Sequence, residues 1–354
     1  MTTEDYIDSM EVPDTDSVPA LKRETLRGVD LFKLLAAVLI VYMHTYCSDL
    51  GVAGQWVKDV LSTACVPFFF ICSGYFFRRG MDRSLAEGGE AGEAAWFKRY
   101  LLRLVKMYLA WSLLTLPVSF LVIERGHPDF SVFMKALYQF RLFFLTGSIG
   151  IYWYILALIL CTLIIRWCRK RGLTGWLAAV SAVLFLYGCL YNSPVNHQQK
   201  VFEIIHVLFG SERNFLNVGL FFILAGFMLP AGRLASMRRK PLLIVLLAFS
   251  VLVRTWESRH LGTNFTQALI AMAAFFVAAT FRFDWLGRMS QKIRHLSIGL
   301  YVLHFPFILL FDFYLRRGTV VDFPAAMAFS VAVFYFLSLL FPAAGSVLFG
   351  YSRK

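Results

Sequence analysis

The sequence predicts an all-α fold, a polytopic membrane helix bundle of about ten transmembrane helices, and three observations carry that prediction. Of 354 residues, 58% are apolar and only 16% charged, too little polar surface to clothe a soluble domain of this length. Ten stretches approach the roughly 20 mostly apolar residues that a helix needs to cross hydrocarbon. They run at about 29–48, 59–77, 100–123, 149–168, 173–191, 215–232, 241–256, 264–281, 297–315 and 322–349. Lysine and arginine are also unevenly divided between the two sets of loops that ten spans create.

Taken in order, residues 1–25 are acidic and polar at their start, with prolines at 13 and 19, and are predicted to form a disordered cytoplasmic tail. They lack the basic start of a signal peptide, so the first span is expected to be a retained anchor. The transmembrane domain is then 26–354. The second span closes on Ser73 and Gly74, small residues that permit close helix approach. Lys98, Arg99, Arg103 and Lys106 cluster about the start of the third. The stretch 131–147 carries Lys135, Gln139 and Arg141 and reads as an interfacial or re-entrant piece. The short seventh span has Arg254 near its end and Glu257 just beyond, and the ninth holds His304 and Pro306, where the proline is expected to disrupt the helix. The six cysteines at 47, 65, 72, 161, 168 and 189 lie in or beside spans without a CxxC pair, and read as packing residues with no disulfide framework or metal site.

Orientation follows from charge. Of the 35 Lys and Arg residues, 21 fall on the side that holds both termini, nine on the other and five inside spans. The positive-inside rule therefore places both termini in the cytoplasm and the loop 192–214 outside. A basic rim facing anionic lipid accounts for the net charge of +13 with no nucleic acid partner. No Walker loop, GxGxxG or internal repeat is visible.

Ionisable residues inside spans carry the functional signal, because each is costly to insert. Lys33 and His44 are eleven residues apart, almost three helical turns, so they share one face about 16 Å apart along the axis. Asp30 lies three residues before Lys33 and can pair with it. An imidazole at this depth suits a general base, while Arg99 and Arg103 could fork a phosphate. Glu257, Arg213, Asn214 and His44 should all lie near the outer face, and their convergence in one cavity is an expectation to be tested by structure.

Five pieces in order, RGVDLFKLLAAVLIVYMHT, VPFFFICSGYFF, YWYILALIL, GSERNFLNVGLFFILAGFML and LSIGLYVLHFP, make the chain resemble the acyltransferase 3 family of bacterial membrane proteins after residue 25. Within it the chain is most similar to the membrane part of vancomycin-resistance-type serine racemases, without the racemase half. The resemblance implies transfer of an acyl group, typically acetyl, from cytoplasmic acetyl-CoA or another acyl-CoA to a hydroxyl on an envelope glycan, a lipid-linked sugar or a small hydroxylated acceptor, with no metal. It implies a place in the bacterial cytoplasmic membrane. It makes His44 the essential histidine, with Lys33 standing where the family usually has Arg and losing the bidentate fork. Asp30 and Glu257 are the accompanying catalytic candidates. Lys98, Arg99 and Arg103 match the basic patch for CoA phosphates, with Lys106 in place of a usual proline. Ser73, Trp153, Arg213, Asn214, Tyr301 and His304 are the substrate-binding candidates. The racemase-like branch also implies an alternative, transport of L-serine or another small amino acid.

Overall fold

The computed structural model describes residues 26–45, 50–190, 214–229, 240–281, 283–287, 289–315 and 322–350. Among them the fold is all-α, as the composition dictates. The expected tail 1–25, most of the loop 192–214, Arg213 and Cys47 lie outside the described residues.

Helix α1 (Arg27–His44) is followed by a short α2 (Gly51–Trp56) that runs through a π turn and a 3₁₀ turn into α3 (Cys65–Leu114). The loop expected near 78–99 is therefore helical on both sides of one break. Gly88 and Gly89 leave helical geometry, and Gly89 has φ 58° and ψ −158°, a backbone region that glycine alone occupies at low cost. Helix α3 is thus a hairpin whose outgoing and returning limbs hold the second and third predicted spans. Thr115 closes it, since the ring of Pro117 disfavours continuation, and α4 (Leu116–Gly126) restarts the chain.

Helix α5 (Val132–Arg141) and the π turn Leu142–Thr146 make up the 131–147 piece, too short to cross a bilayer alone. Then follow α6 (Trp153–Lys170), α7 (Thr174–Cys189), α8 (Leu220–Met228, preceded by a π turn at Phe215–Gly219), α9 (Lys240–His260), α10 (Gln267–Thr280), α11 (Met289–Leu315), α12 (Asp322–Leu340) and α13 (Pro342–Leu348). Among the described residues four helical stretches are long and apolar enough to cross a membrane, Gly51–Leu114, Pro241–His260, Met289–Tyr314 and Asp322–Leu340. Each of the other predicted spans falls on a helix that is shorter or charged at one end.

Packing follows the small residues. The Gly74 Cα faces the Ile223 carbonyl and the Gly226 Cα faces the Ile71 carbonyl, so α3 and α8 cross backbone to backbone. Gly28 likewise admits the Ala278 carbonyl of α10 against α1. Phe70, Tyr75, Phe77, Tyr152, Phe222, Phe227 and Phe275 are buried and fill the centre.

One expectation is corrected. Pro306 does not disrupt α11, which continues from Met289 to Leu315. Proline removes the N–H that would bond the Val302 carbonyl. The Tyr152 hydroxyl donates to that carbonyl at 3.2 Å instead, so no buried acceptor is orphaned.

Candidate functional site

The two ends of α1 open onto different chemistry. At its start Asp30 is buried, and its carboxylate accepts from Arg294 Nε and Nη2, both at 2.8 Å, and from Ser290 Oγ at 2.5 Å. The predicted Asp30–Lys33 pairing is replaced by this bidentate fork from α11, because the planar guanidinium satisfies both carboxylate oxygens at once. The Lys33 ammonium lies 5.0 Å over the Phe76 ring, a cation–π contact with the outgoing limb of α3. The Ser73 hydroxyl, one turn earlier on that limb, shares a 2.8 Å hydrogen bond with Tyr154.

At the other end of α1 lies a cavity of about 340 Å³. His44, Trp153 and Tyr301 line it, three of the predicted site residues brought together from α1, α6 and α11. Ser62, Thr63, Tyr138, Arg141, Asn264 and Gln267 add polar groups to the wall. The Tyr301 hydroxyl donates to the Ile151 carbonyl, and its ring meets Tyr154 at 5.2 Å and an edge-on angle of 65°. Trp153 packs at 67° against Phe70, which fixes the indole on the wall. The Arg141 guanidinium stacks on Tyr138 at 5.3 Å. Among the described residues the cavity thus combines aromatic faces, amides, hydroxyls, one guanidinium and one imidazole.

His304 lies behind that imidazole. It is wholly buried, absent from the cavity wall, and its ring stands 5.4 Å from the His44 ring. His304 Nδ1 is 2.8 Å from the Leu300 carbonyl. A carbonyl only accepts, so Nδ1 carries the hydrogen and Nε2 presents a lone pair.

Glu257 is placed near the cavity but not on it. Its carboxylate accepts from Thr263 Oγ1 and Phe265 N, both at 2.6 Å, from Thr266 N at 3.0 Å, from Thr266 Oγ1, and from Arg254 Nη1 at 3.1 Å. Arg254 is also buried. It donates to the Asp59 and Thr263 carbonyls and to Asn264 Oδ1. The pair holds the 262–267 segment that presents Asn264 and Gln267. Asn214 is also structural in position: buried, with Oδ1 accepting from Leu216 N and Asn217 N, it caps the helix entering α8.

Lys98, Arg99 and Arg103 are exposed along the returning limb of α3. Among the described residues no carboxylate pairs with any of them. Neighbouring charges are taken: Asp82 accepts from Arg78 and Arg169, and Glu93 from Arg166 through two 2.9 Å bonds. None of the three basic residues lines the cavity, nor do Asp30 or Lys33.

The polar wall was only partly legible. Arg141 stands out in sequence as a charge in an apolar stretch. Asn264 and Gln267 give no signal, because loop amides are common and only the Arg254–Glu257 brace directs them inward.

The family described as an acyltransferase domain, acyltransferase 3, matches residues 26–339. The chain belongs to the acyltransferase 3 family. Every described residue of the cavity wall lies inside the match. The curated relatives include an amino-acid racemase of Enterococcus faecalis, 24% identical over 201 residues, 55% of this chain and 27% of the relative. A serine/alanine racemase of Enterococcus gallinarum is 25% identical over 300 residues, 78% of this chain and 40% of the relative. The chain thus spans less than half the length of these relatives. No solved structure matches. As a member of this family with long apolar helices, the chain is a membrane protein.

Proposed function

We propose that this acyltransferase moves an acyl group, acetyl by family resemblance, from a cytoplasmic acyl-CoA to a hydroxyl of an envelope glycan or lipid-linked sugar held in the cavity, with His44 as general base. The protein would sit in the bacterial cytoplasmic membrane with both termini in the cytoplasm. The single observation that carries the reading is His44, the imidazole on the wall of a cavity whose aromatic, amide and hydroxyl lining suits a polyhydroxylated ligand.

The reaction balances on that residue. The acceptor hydroxyl attacks the thioester carbonyl while the His44 imidazole takes its proton. The new C–O bond forms, the tetrahedral oxyanion collapses, the C–S bond breaks, and the imidazolium returns the proton to the leaving thiolate. Donors from the wall, the Gln267 amide among them, would stabilise the oxyanion. Lys98, Arg99 and Arg103, which pair with no carboxylate among the described residues, are the candidates for the CoA phosphates, and Lys33 is the nearest cation on the His44 face of α1. A second reading, uptake of L-serine or another small amino acid, draws on the serine/alanine racemase name of one relative.

Purified protein is incubated with radiolabelled acetyl-CoA and an envelope extract, and vesicles are tested in parallel for labelled L-serine uptake. His44→Ala is expected to lower the transfer rate by about two to four orders of magnitude, and His44→Gln, a hydrogen-bonding isostere without basicity, should not restore it. Transfer retained in His44→Ala removes the base assigned here. Serine uptake lost in both variants, with no transfer by the wild type, gives the transporter reading.

A further inference from the structure

His304 is the buried ionisable group that the proposed reaction does not use. Its Nδ1–H is committed to the Leu300 carbonyl, and its Nε2 has no hydrogen-bond partner among the described residues. Leaving a buried acceptor unsatisfied is costly, so such an atom calls for a donor close by. The ring against it is His44, with centroids 5.4 Å apart and planes tilted by 35°. An N–H···N bond of about 2.9 Å between two imidazoles sets their centroids roughly 5.3 Å apart when the nitrogens face each other. The observed spacing brings the two imidazoles within reach of such a bond. The Phe305 ring centroid lies 4.9 Å from that of His44 and 6.3 Å from that of His304.

We propose that His304 is a positioning residue for His44: its Nε2 accepts the His44 N–H that faces it, and this fixes the His44 tautomer whose other nitrogen presents a lone pair to the cavity. The role is that of an orienting acceptor behind a general base. Here a neutral imidazole, fixed in its own tautomer by the Leu300 carbonyl, takes the place of a carboxylate. That suits a site inside the bilayer, where a second buried charge is expensive. Asp30 and Glu257 are unsuited to the task, because their oxygens are already taken by Arg294 and by the Arg254 cluster. The proton-transfer consequence rests on the acyltransferase reading; the tautomer consequence does not.

The test uses the full chain in nanodiscs with ¹⁵N-labelled histidine, the His44 and His304 signals being assigned with His44→Gln and His304→Gln. In the wild type His44 is expected in a single neutral tautomer. His304→Ala should give a mixture of the two tautomers, and His304→Gln, whose Oε1 can accept, should restore one. In the transfer assay His304→Ala is expected to lower kcat roughly tenfold, as for a lost hydrogen bond, with KM for acetyl-CoA unchanged, and His304→Gln to recover most of it. An unchanged His44 tautomer in His304→Ala overturns the proposal. Tautomers that shift as expected, with no acyl transfer by any variant, leave the pairing standing and bring down the proposed reaction instead.

Discussion

Glu257 shows how a residue with a catalytic signature can be structural. Its carboxylate gathers two threonine hydroxyls, two backbone N–H groups and a buried guanidinium, so it is braced and has no acceptor left for a substrate proton. Glu257→Gln keeps the volume but leaves Arg254 buried without its counter-charge, at a cost of about 3–5 kcal/mol. The thermal midpoint in detergent should fall clearly. A variant that melts like the wild type yet loses transfer would make Glu257 the base after all. Sequence reading finds His44 because an imidazole in an apolar span is costly wherever it points. It misassigns the partner of Asp30 for an equally physical reason. Lys33 is three residues away in sequence, but Arg294 is 264 residues away and reaches Asp30 only through the packing of α11 on α1.

At the scale of elements, apolar runs mark the helices well, and the departures lie where local chemistry is overridden. The charged segment 78–99 reads as a loop, yet its Ala, Glu, Arg and Met content favours helix and only Gly88–Gly89 breaks it. Pro306 reads as a break, yet the Tyr152 hydroxyl, from a helix distant in sequence, takes over the freed carbonyl. The small-residue signal at Gly74 is specific: it predicts close approach, and α8 supplies Gly226 in return. A side chain at Gly74 would overlap the Ile223 carbonyl, and backbone cannot yield as a side-chain tip can. Gly74→Leu is therefore expected to separate α3 from α8 and sharply reduce the folded, detergent-soluble yield. Gly175→Leu, at a helical glycine with open space around it, should leave the yield unchanged. Equal yields from the two variants would show that the crossing tolerates a wider spacing.

Across the whole molecule, side-chain contacts sort the loops into the same two sets as the charge count. At one end Arg27 pairs with Asp284 at 3.0 Å, Asp30 with Arg294, and Asp82 with Arg169 at 2.8 Å, which ties the start of α1 to 282–296 and the 78–99 turn to 169–172. Lys33 over Phe76 links these two groups. At the other end Arg125 meets Asp312 at 3.1 Å, and Arg254 donates to the Asp59 carbonyl, joining the loops that the charge rule assigns outside. The folded chain therefore separates a lysine- and arginine-rich end from a poorer one, and the positive-inside rule predicts an orientation with the richer end in the cytoplasm. A background with Cys47→Ser leaves five cysteines, all buried. On it, Asp129→Cys, at an exposed site between α4 and α5, is expected to react with a membrane-impermeant maleimide in intact spheroplasts. Glu87→Cys, exposed beside the glycine break of α3, should react only once the membrane is opened. The reverse order would invert the protein, placing Lys98, Arg99 and Arg103 on the side away from cytoplasmic acyl-CoA and His44 toward the cytoplasm, and the proposed direction of acyl transfer would fall with it.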